Sequence, residues 1–332
     1  MTEPRLDVLC IGNAIVDVIA DADDAFLAEQ GLAKNAMRLI DEEEAVRLYG
    51  LMGPGREVSG GSAGNTAAGV AALGLKAGFI GQVATDELGD IYRHDIESQG
   101  VEFLVPARGD VGATARSLIL VTPDAHRTMN TFLGAAQLLN SSAIDRDRIA
   151  EAAILYLEGY LWDPEVPRAA MEAAIEAAHS AGRKVAFTLS DTFCVDRHRS
   201  GFWNLLWDGK IDILFANEAE AMAMAATDDV EAAKATLAKA VPLLVVTKSE
   251  KGASAIAGDE RADVPAEPIA QLVDTTGAGD LFAAGFLAGH ARGVGLEHSL
   301  RLGAIAAAEV IQHYGARPEA DLKQLAGDLL GA

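Results

Sequence analysis

From residue 154 onward the chain alternates between two kinds of stretch. Continuously apolar, β-branched runs, ILYLE (154–158), VAFTL (185–189), IDILF (211–215) and LLVVT (243–247), are separated by helical patterns such as EVPRAAMEAAIEAAHSAG and NEAEAMAMAA. Strands without polar alternation are covered on both faces, and amphipathic helices between them are crossovers, so this half predicts a parallel sheet inside an α/β core. Such a sheet presents ligands at the carboxyl ends of its strands, which directs attention to the residues just after each run.

The first 135 residues alternate instead. AIVDVIAD (14–21) and TARSLILVT (114–122) place apolar side chains at every second position, and RTMNTF follows after PDAH, so the last two runs read as a hairpin turning at Pro123 and Asp124. A small, mainly antiparallel sheet with one dry and one wet face is expected beside the core. No repeat period and no low-complexity linker separates the parts, so the chain is expected to cross between them more than once.

Composition narrows the function classes. A chain of 332 residues, half of them hydrophobic, can bury one large domain or a main domain with a smaller attachment. A formal net charge of −22 repels nucleic acid and anionic membrane surfaces, and leaves small solutes and neutral polar substrates open. Two cysteines, Cys10 and Cys194, cannot frame a disulfide scaffold, and Cys10 sits in the apolar run VLCIG. MTEPRLDVLC lacks a basic leader and no apolar stretch reaches about eighteen residues, so a cytoplasmic protein without a membrane span is expected.

The candidate chemistry gathers in four places. DTTGAGDLFAAGFLAG (274–289) is neither a Walker A loop nor a dinucleotide fingerprint, which needs a third glycine where Phe282 stands. Its loop, Thr275 to Gly279, opens a helix whose first-turn N–H groups and dipole favour an anion. Asp280 is then either a first-turn charge stabilising that helix by about 0.3–1 kcal/mol, or a general base beside an anion-binding terminus. GGSAGNTAAGVAALG (60–74) repeats the glycine-to-helix arrangement, with Ser62 and Asn65 able to bond hydroxyls; close helix packing explains it equally well. In IGNAIVDVIAD (11–21), Asp17 between Val16 and Val18 either faces solvent or meets a ligand, and one carboxylate can bind two neighbouring ring hydroxyls. Asn217, Glu218 and Glu220 follow a core strand, where they suit either a helix cap or a Mg²⁺ site, and Thr247 and Gly252 follow another, suited to lining a nucleotide.

Taken in this order, the stretches resemble the ribokinase-like (PfkB) carbohydrate kinase family, whose two signatures correspond to 60–74 and 274–287, with N-x-x-E at Asn217–Glu220 as a third match. The resemblance covers nearly the whole chain. It implies an α/β fold, a three-layer α/β/α core with a mostly parallel sheet over 1–12, 45–112 and 134–332, plus a small β-sheet lid over 13–44 and 113–133. It implies an anion hole at the backbone of Thr276, Gly277, Ala278 and Gly279, with Asp280 as the base that activates the acceptor hydroxyl. Asn217, Thr247, Lys248 and Gly252 would lie along ATP, with Glu220 holding Mg²⁺ through water. Asp17 would bind sugar hydroxyls with Asn13, Gly61, Ser62 and Asn65. Some members also hold a monovalent cation, K⁺, behind the anion hole.

Within the family, the first 140 residues are most similar to adenosine kinases. GNAIVDV, DDAFLAEQGLAKNAMRLIDEEE and HRTMNTFLGAAQLL carry this likeness, the last with a lid arginine at Arg127. Met37 stands where several of them have a glutamine near the nucleobase, and GGSAGN replaces GGSTQN. The resemblance thus implies ATP-dependent phosphorylation of the 5′-hydroxyl of adenosine. Inosine, guanosine or a sugar such as ribose, fructose or a keto-deoxy sugar acid are the alternative acceptors, and a non-catalytic nucleoside-binding protein is the alternative of another class. The exposed edges of a small lid could pair in a homodimer.

Overall fold

The apolar run around Cys10 becomes the strand from which the large sheet grows in both directions. In the computed structural model, which describes residues 4–124 and 126–331, the first strands are β1 (Leu6–Ile11), β2 (Ile15–Asp21), β3 (Met37–Leu39), β4 (Gly55–Gly60), β5 (Ala77–Ile80), β6 (Val101–Phe103) and β7 (Ala115–Val121). They continue with β8 (Arg127–Phe132), β9 (Ala152–Glu158), β10 (Lys184–Thr188), β11 (Ile213–Asn217), β12 (Leu243–Thr247), β13 (Ala253–Ala257) and β14 (Glu260–Val264). The larger sheet has nine strands in the order β14, β13, β12, β11, β10, β9, β1, β5, β6. Neighbours are parallel throughout, except where β13 pairs antiparallel with β12 and β14.

These strands are covered on both faces, as their unbroken apolar runs require. Val8 and Cys10 project into one layer with the helices Ser62–Ala72, Ala278–Arg292 and Leu296–Val310. Leu9 and Ile11 project into the opposite layer with Glu165–Ser180 and Thr192–Trp207. Fully buried rings such as Phe187 and Phe202 each contribute about 1.5–3 kcal/mol by leaving water. No helix among the described residues is long and apolar enough to cross a membrane.

β5 and β6 lie on one side of β1, and β9 to β12 on the other. That reversal opens a crevice at the carboxyl ends of β1 and β9, the usual ligand site of such sheets. Glu158, the last residue of β9, reaches across it and accepts hydrogen bonds from the Asn13 N–H at 2.7 Å and the Asn13 Nδ2 at 2.6 Å.

The smaller sheet has five strands in the order β3, β8, β7, β2, β4. The hairpin read at Pro123 and Asp124 is present as β7 and β8, with Val121 opposite Arg127. Two expectations change. The sheet is mixed rather than mainly antiparallel, because β2 runs parallel to β7 and β3 parallel to β8. Strands that return from the core between visits to the sheet cannot all be joined by hairpins, and only tight turns enforce antiparallel pairing. In addition, β4, which falls in the stretch assigned to the core, pairs with β2 in the small sheet. The chain therefore passes between the sheets four times: before β2, after β4, before β7 and after β8.

On β2 the alternation has its expected consequence. Val16 and Val18 are buried, and Asp17 lies on the other face, in register with Ser117 of β7, which faces Thr131 of β8. The small residues of 60–74 also serve packing: a Cβ on Gly69 would come within 2.6 Å of Ala284 in the neighbouring helix.

Candidate active site

Two helix N-termini converge beneath the small sheet. The helix Ser62–Ala72 begins after Gly61, whose φ is +82° and whose Cβ, if present, would lie 2.1 Å from the Asn13 carbonyl oxygen. The helix Ala278–Arg292 begins after Gly277, with φ +79°, where a Cβ would press to 2.5 Å from that of Ala316. Only glycine satisfies both the left-handed backbone and the close approach.

Asp280 lies in the first turn of the second helix and is gripped by the first. Ser62 Oγ donates to its Oδ1 at 2.7 Å and Asn65 Nδ2 to its Oδ2 at 2.8 Å. The Thr66 hydroxyl donates to the Asp280 carbonyl at 3.2 Å. Burial pushes this carboxyl above the ordinary aspartate range, while the Ser62 and Asn65 bonds and the positive charge of Arg317 oppose the shift.

Asp17 faces the same cleft, of about 440 Å³, and differs in kind. Its carboxylate takes part in no hydrogen bond within the described residues, and burial raises it to about 6 against the attraction of Arg317 and Arg127. Ile15, Ser117, Met129 and Thr131 complete the wall formed by the small sheet.

The loop ahead of Asp280 is partly self-satisfied. Thr276 N–H donates to Asp274 Oδ1 at 3.1 Å, and Ala278 N–H to the Thr275 carbonyl at 3.2 Å. The amides of Gly277 and Gly279 have no protein acceptor within the described residues, so they, rather than all four residues expected, are free to meet an anion.

At the far end of the cleft lie Asn217, Glu220 and Thr247. Asn217 caps the helix Glu218–Ala225 through a complete capping box, donating from N and Nδ2 to Glu220 at 3.0 and 2.6 Å. The cap therefore exists, and it also holds Glu220 in the cleft wall. Burial raises the Glu220 carboxyl to about 7. A hard oxygen donor in that position fits Mg²⁺ held through water, because its oxygens are already committed to Asn217.

Several expected residues lie elsewhere. Met37 is 56 % exposed on β3, one strand outside its cross-strand neighbour Met129, which does line the cleft. Asn13 is buried behind the wall by its bonds to Glu158. Lys248 donates to Asp263 at 2.7 Å, and Gly252 closes the turn between β12 and β13, its carbonyl accepting from Lys248 N–H at 2.7 Å. Arg127 pairs with Asp274 at 2.9 Å and acts on the Asp17 carboxylate without lining the cleft.

Other groups at the site were not singled out in the sequence. Glu158 is fully buried, accepts the Ala63 N–H at 2.8 Å besides its bonds to Asn13, and is pushed up to about 7 by burial. Its only local signal is an acidic residue ending an apolar core strand. Tyr160 and Ser190 line the cleft just beyond β9 and β10, where strand ends pointed in general terms. Arg317 has no sequence signal.

A clamped carboxylate beside free loop amides, facing an open second carboxylate across a cleft, defines a phosphotransferase acting on a hydroxyl acceptor. Residues 5–322 match the pfkB family carbohydrate kinase model, and the chain belongs to that family. Its ribokinase-like fold is shared with the adenosine kinase from Sinorhizobium meliloti, 50 % identical, with 96 % of this chain and 98 % of that one covered and a TM-score of 0.89. A probable sugar kinase protein from Rhizobium etli CFN 42 is likewise 50 % identical, with 97 % of each chain covered and a TM-score of 0.90. The adenosine kinase of Saccharomyces cerevisiae is 28 % identical over 336 residues, which span 95 % of this chain and 96 % of that protein. Kinases of this family use ATP with Mg²⁺ and phosphorylate sugars or nucleosides.

Proposed function

We propose that the protein transfers the γ-phosphoryl group of MgATP to the 5′-hydroxyl of adenosine, giving AMP and ADP. The observation that carries this reading is the contrast between the two carboxylates: Asp280 is clamped by Ser62 and Asn65, whereas Asp17 stands unbonded in the cleft. Asp17 accepts hydrogen bonds from the 2′- and 3′-hydroxyls and so directs the 5′-oxygen towards Asp280. Ile15 and Met129 give the same half of the cleft an apolar wall, which suits a flat base.

Asp280 removes the 5′-hydroxyl proton as the bond from that oxygen to the γ-phosphorus forms. The bond to the oxygen bridging to the β-phosphate breaks in line, and its electron pair leaves with ADP. The Gly277 and Gly279 amides stabilise charge on the transferring group, and the helix dipole behind them adds to that. Ser62 and Asn65 fix the carboxylate in one orientation, which removes the entropy of searching for it. Asn217, Thr247 and Glu220 lie along the donor, and the small sheet excludes water that would otherwise hydrolyse ATP. The similarity to the Sinorhizobium meliloti adenosine kinase supports this choice of acceptor.

ADP production with adenosine, inosine, guanosine, ribose and fructose at fixed MgATP tests the reading. Adenosine should give the highest kcat/KM, by about a hundredfold over free ribose. The Ser117 and Thr131 hydroxyls, 2.9 Å apart beside Asp17, favour a sugar acceptor as the second reading, and a preference for ribose or fructose would establish it. Tight nucleoside binding without ADP formation from any acceptor would instead mark a binding protein.

A further inference from the structure

Gly315, Ala316 and Arg317 follow the helix Leu296–Val310 and touch both halves of the site. Gly315 N–H donates to Asp274 Oδ2 at 3.1 Å. Ala316 is the residue packed against Gly277. The Arg317 guanidinium donates to the Gly64 carbonyl at 2.8 Å, and to the Ser59 carbonyl and hydroxyl at 2.7 and 3.0 Å. One end of this short segment therefore holds the anion loop, and the other frames the acceptor loop from both sides of Gly61 and Ser62.

The groups around the guanidinium are acidic or phenolic. Tyr92 and Asp95 face it from the helix Glu87–Ser98, Asp17 from β2 and Asp280 from the helix Ala278–Arg292. Asp95 is itself bonded to the Ser59 N–H at 2.8 Å and the Ser59 hydroxyl at 2.5 Å, and accepts from Gln99 at 3.1 Å. Glu158 adds negative charge near Asp280 from β9, and Arg127 adds positive charge near Asp17 from β8. Among the described residues, Arg317 is the cation that acts on both site carboxylates.

We propose that Arg317 is a positioning residue of the transfer: it fixes the acceptor loop relative to the anion loop and supplies the positive charge that Asp17 and Asp280 share. This rests on the base role assigned to Asp280 above. Two carboxylates in one cleft disfavour each other's ionisation, and a cation between their supports relieves that cost. Asp280 can then take the acceptor proton while Asp17 stays charged for the diol.

Two variants separate charge from shape. Arg317→Gln keeps an amide donor towards Ser59 and Gly64 and loses the charge; Arg317→Lys keeps the charge and loses the planar fork. In kcat/KM for the acceptor measured against pH, the acid limb reports the ionisation of both site carboxylates, Asp280 as base and Asp17 as diol acceptor. It should move up by about one pH unit in Arg317→Gln, whereas Arg317→Lys should leave the limb in place and lower kcat about tenfold. An unmoved limb in Arg317→Gln, with lowered thermal stability alone, would make Arg317 a merely structural residue and overturn the proposal. Should that variant fail to fold, a limb displaced in Arg317→Lys despite its charge overturns it equally. Wild-type turnover in the same assays tests the phosphotransfer reading separately. If no acceptor is phosphorylated, Arg317 is judged by NMR titration of labelled aspartate carboxyl carbons, assigned with Asp17→Asn and Asp280→Asn. Both carboxylates should titrate at higher pH in Arg317→Gln than in the wild type, and unshifted titrations would refute the shared charge.

Discussion

Arg127, the first residue of β8, and Asp274, which opens the DTTGAGD loop, form an ion pair of 2.9 Å with each side chain only 8 % exposed. The guanidinium also lies over the Tyr314 ring at 5.3 Å, and Asp274 accepts from Thr276 and Gly315 besides. The small sheet is thus joined by charge to the loop that receives phosphate. Removing one partner strands the other charge in a dry site, so Arg127→Leu should cost about 3–5 kcal/mol in urea denaturation. Adding Asp274→Asn should recover part of that loss, and a double variant as unstable as the two singles summed would show that the pair is uncoupled.

Asp280→Asn retains an oxygen for Ser62 or Asn65, so the fold and the nucleotide end should survive. Turnover should fall by about 10²–10⁴-fold, the usual contribution of a positioned base, while dissociation constants for acceptor and ATP stay within about threefold. Steady-state kinetics with calorimetric binding checks this. A kcat near that of the wild type would remove Asp280 from its role.

Asp17→Ala deletes two acceptors for charged hydrogen bonds, each contributing about 1.5–3 kcal/mol. The acceptor KM should rise by about a hundredfold or more, and the KM for ATP should hardly change. The wild-type acceptor KM should also climb as pH falls below about 6, where the Asp17 carboxyl gains a proton. Parallel effects on both substrates would count against diol recognition.

Stability should follow pH in an unusual direction for an acidic protein. Asp17 is raised to about 6, Glu158 and Glu220 to about 7, and Asp280 upward as well, in each case chiefly by burial. For a folded value above the unfolded one, the stabilisation is complete below the unfolded value and is lost as pH rises through the folded one. Glu44 and Asp124, lowered mainly by their bonds to Arg47 and Lys34, lose their contributions only in acid. The ligand-free protein should therefore lose a few kcal/mol between about pH 4 and 7, seen as a falling Tm at constant ionic strength. Glu158→Gln should flatten that slope. A Tm rising through the same interval would show that these carboxylates are not held in dry surroundings.

The large sheet is legible because strands covered on both faces are spelled as unbroken apolar runs such as LLVVT and ILYLE. β4 is not, since GREVSG begins and ends with glycine and offers Val58 as its one apolar side chain. At the site, Ser62, Asn65 and Asp280 follow glycine-marked turns, and Asp17 is the polar residue between Val16 and Val18 on an alternating strand, so local pattern and chemistry coincide. Met37 carries no local pattern, only the family likeness: it is exposed on a three-residue strand, and its cross-strand neighbour Met129 lines the cleft. Glu158 and Arg317 acquire their roles from partners far along the chain: Ala63 lies 95 residues from Glu158, and Ser59 lies 258 from Arg317. No local window contains both ends of such a bond.

The four passages of the chain between the sheets also govern how the small sheet can move. All four lie at one end of it, since Ile15 is in register with Gly60 and Ala115, and Arg116 with Phe132. A row of neighbouring joints bends more easily than it twists, so any movement of the sheet against the core should be a bend about that row, and stiffening one joint should slow substrate capture and product escape together.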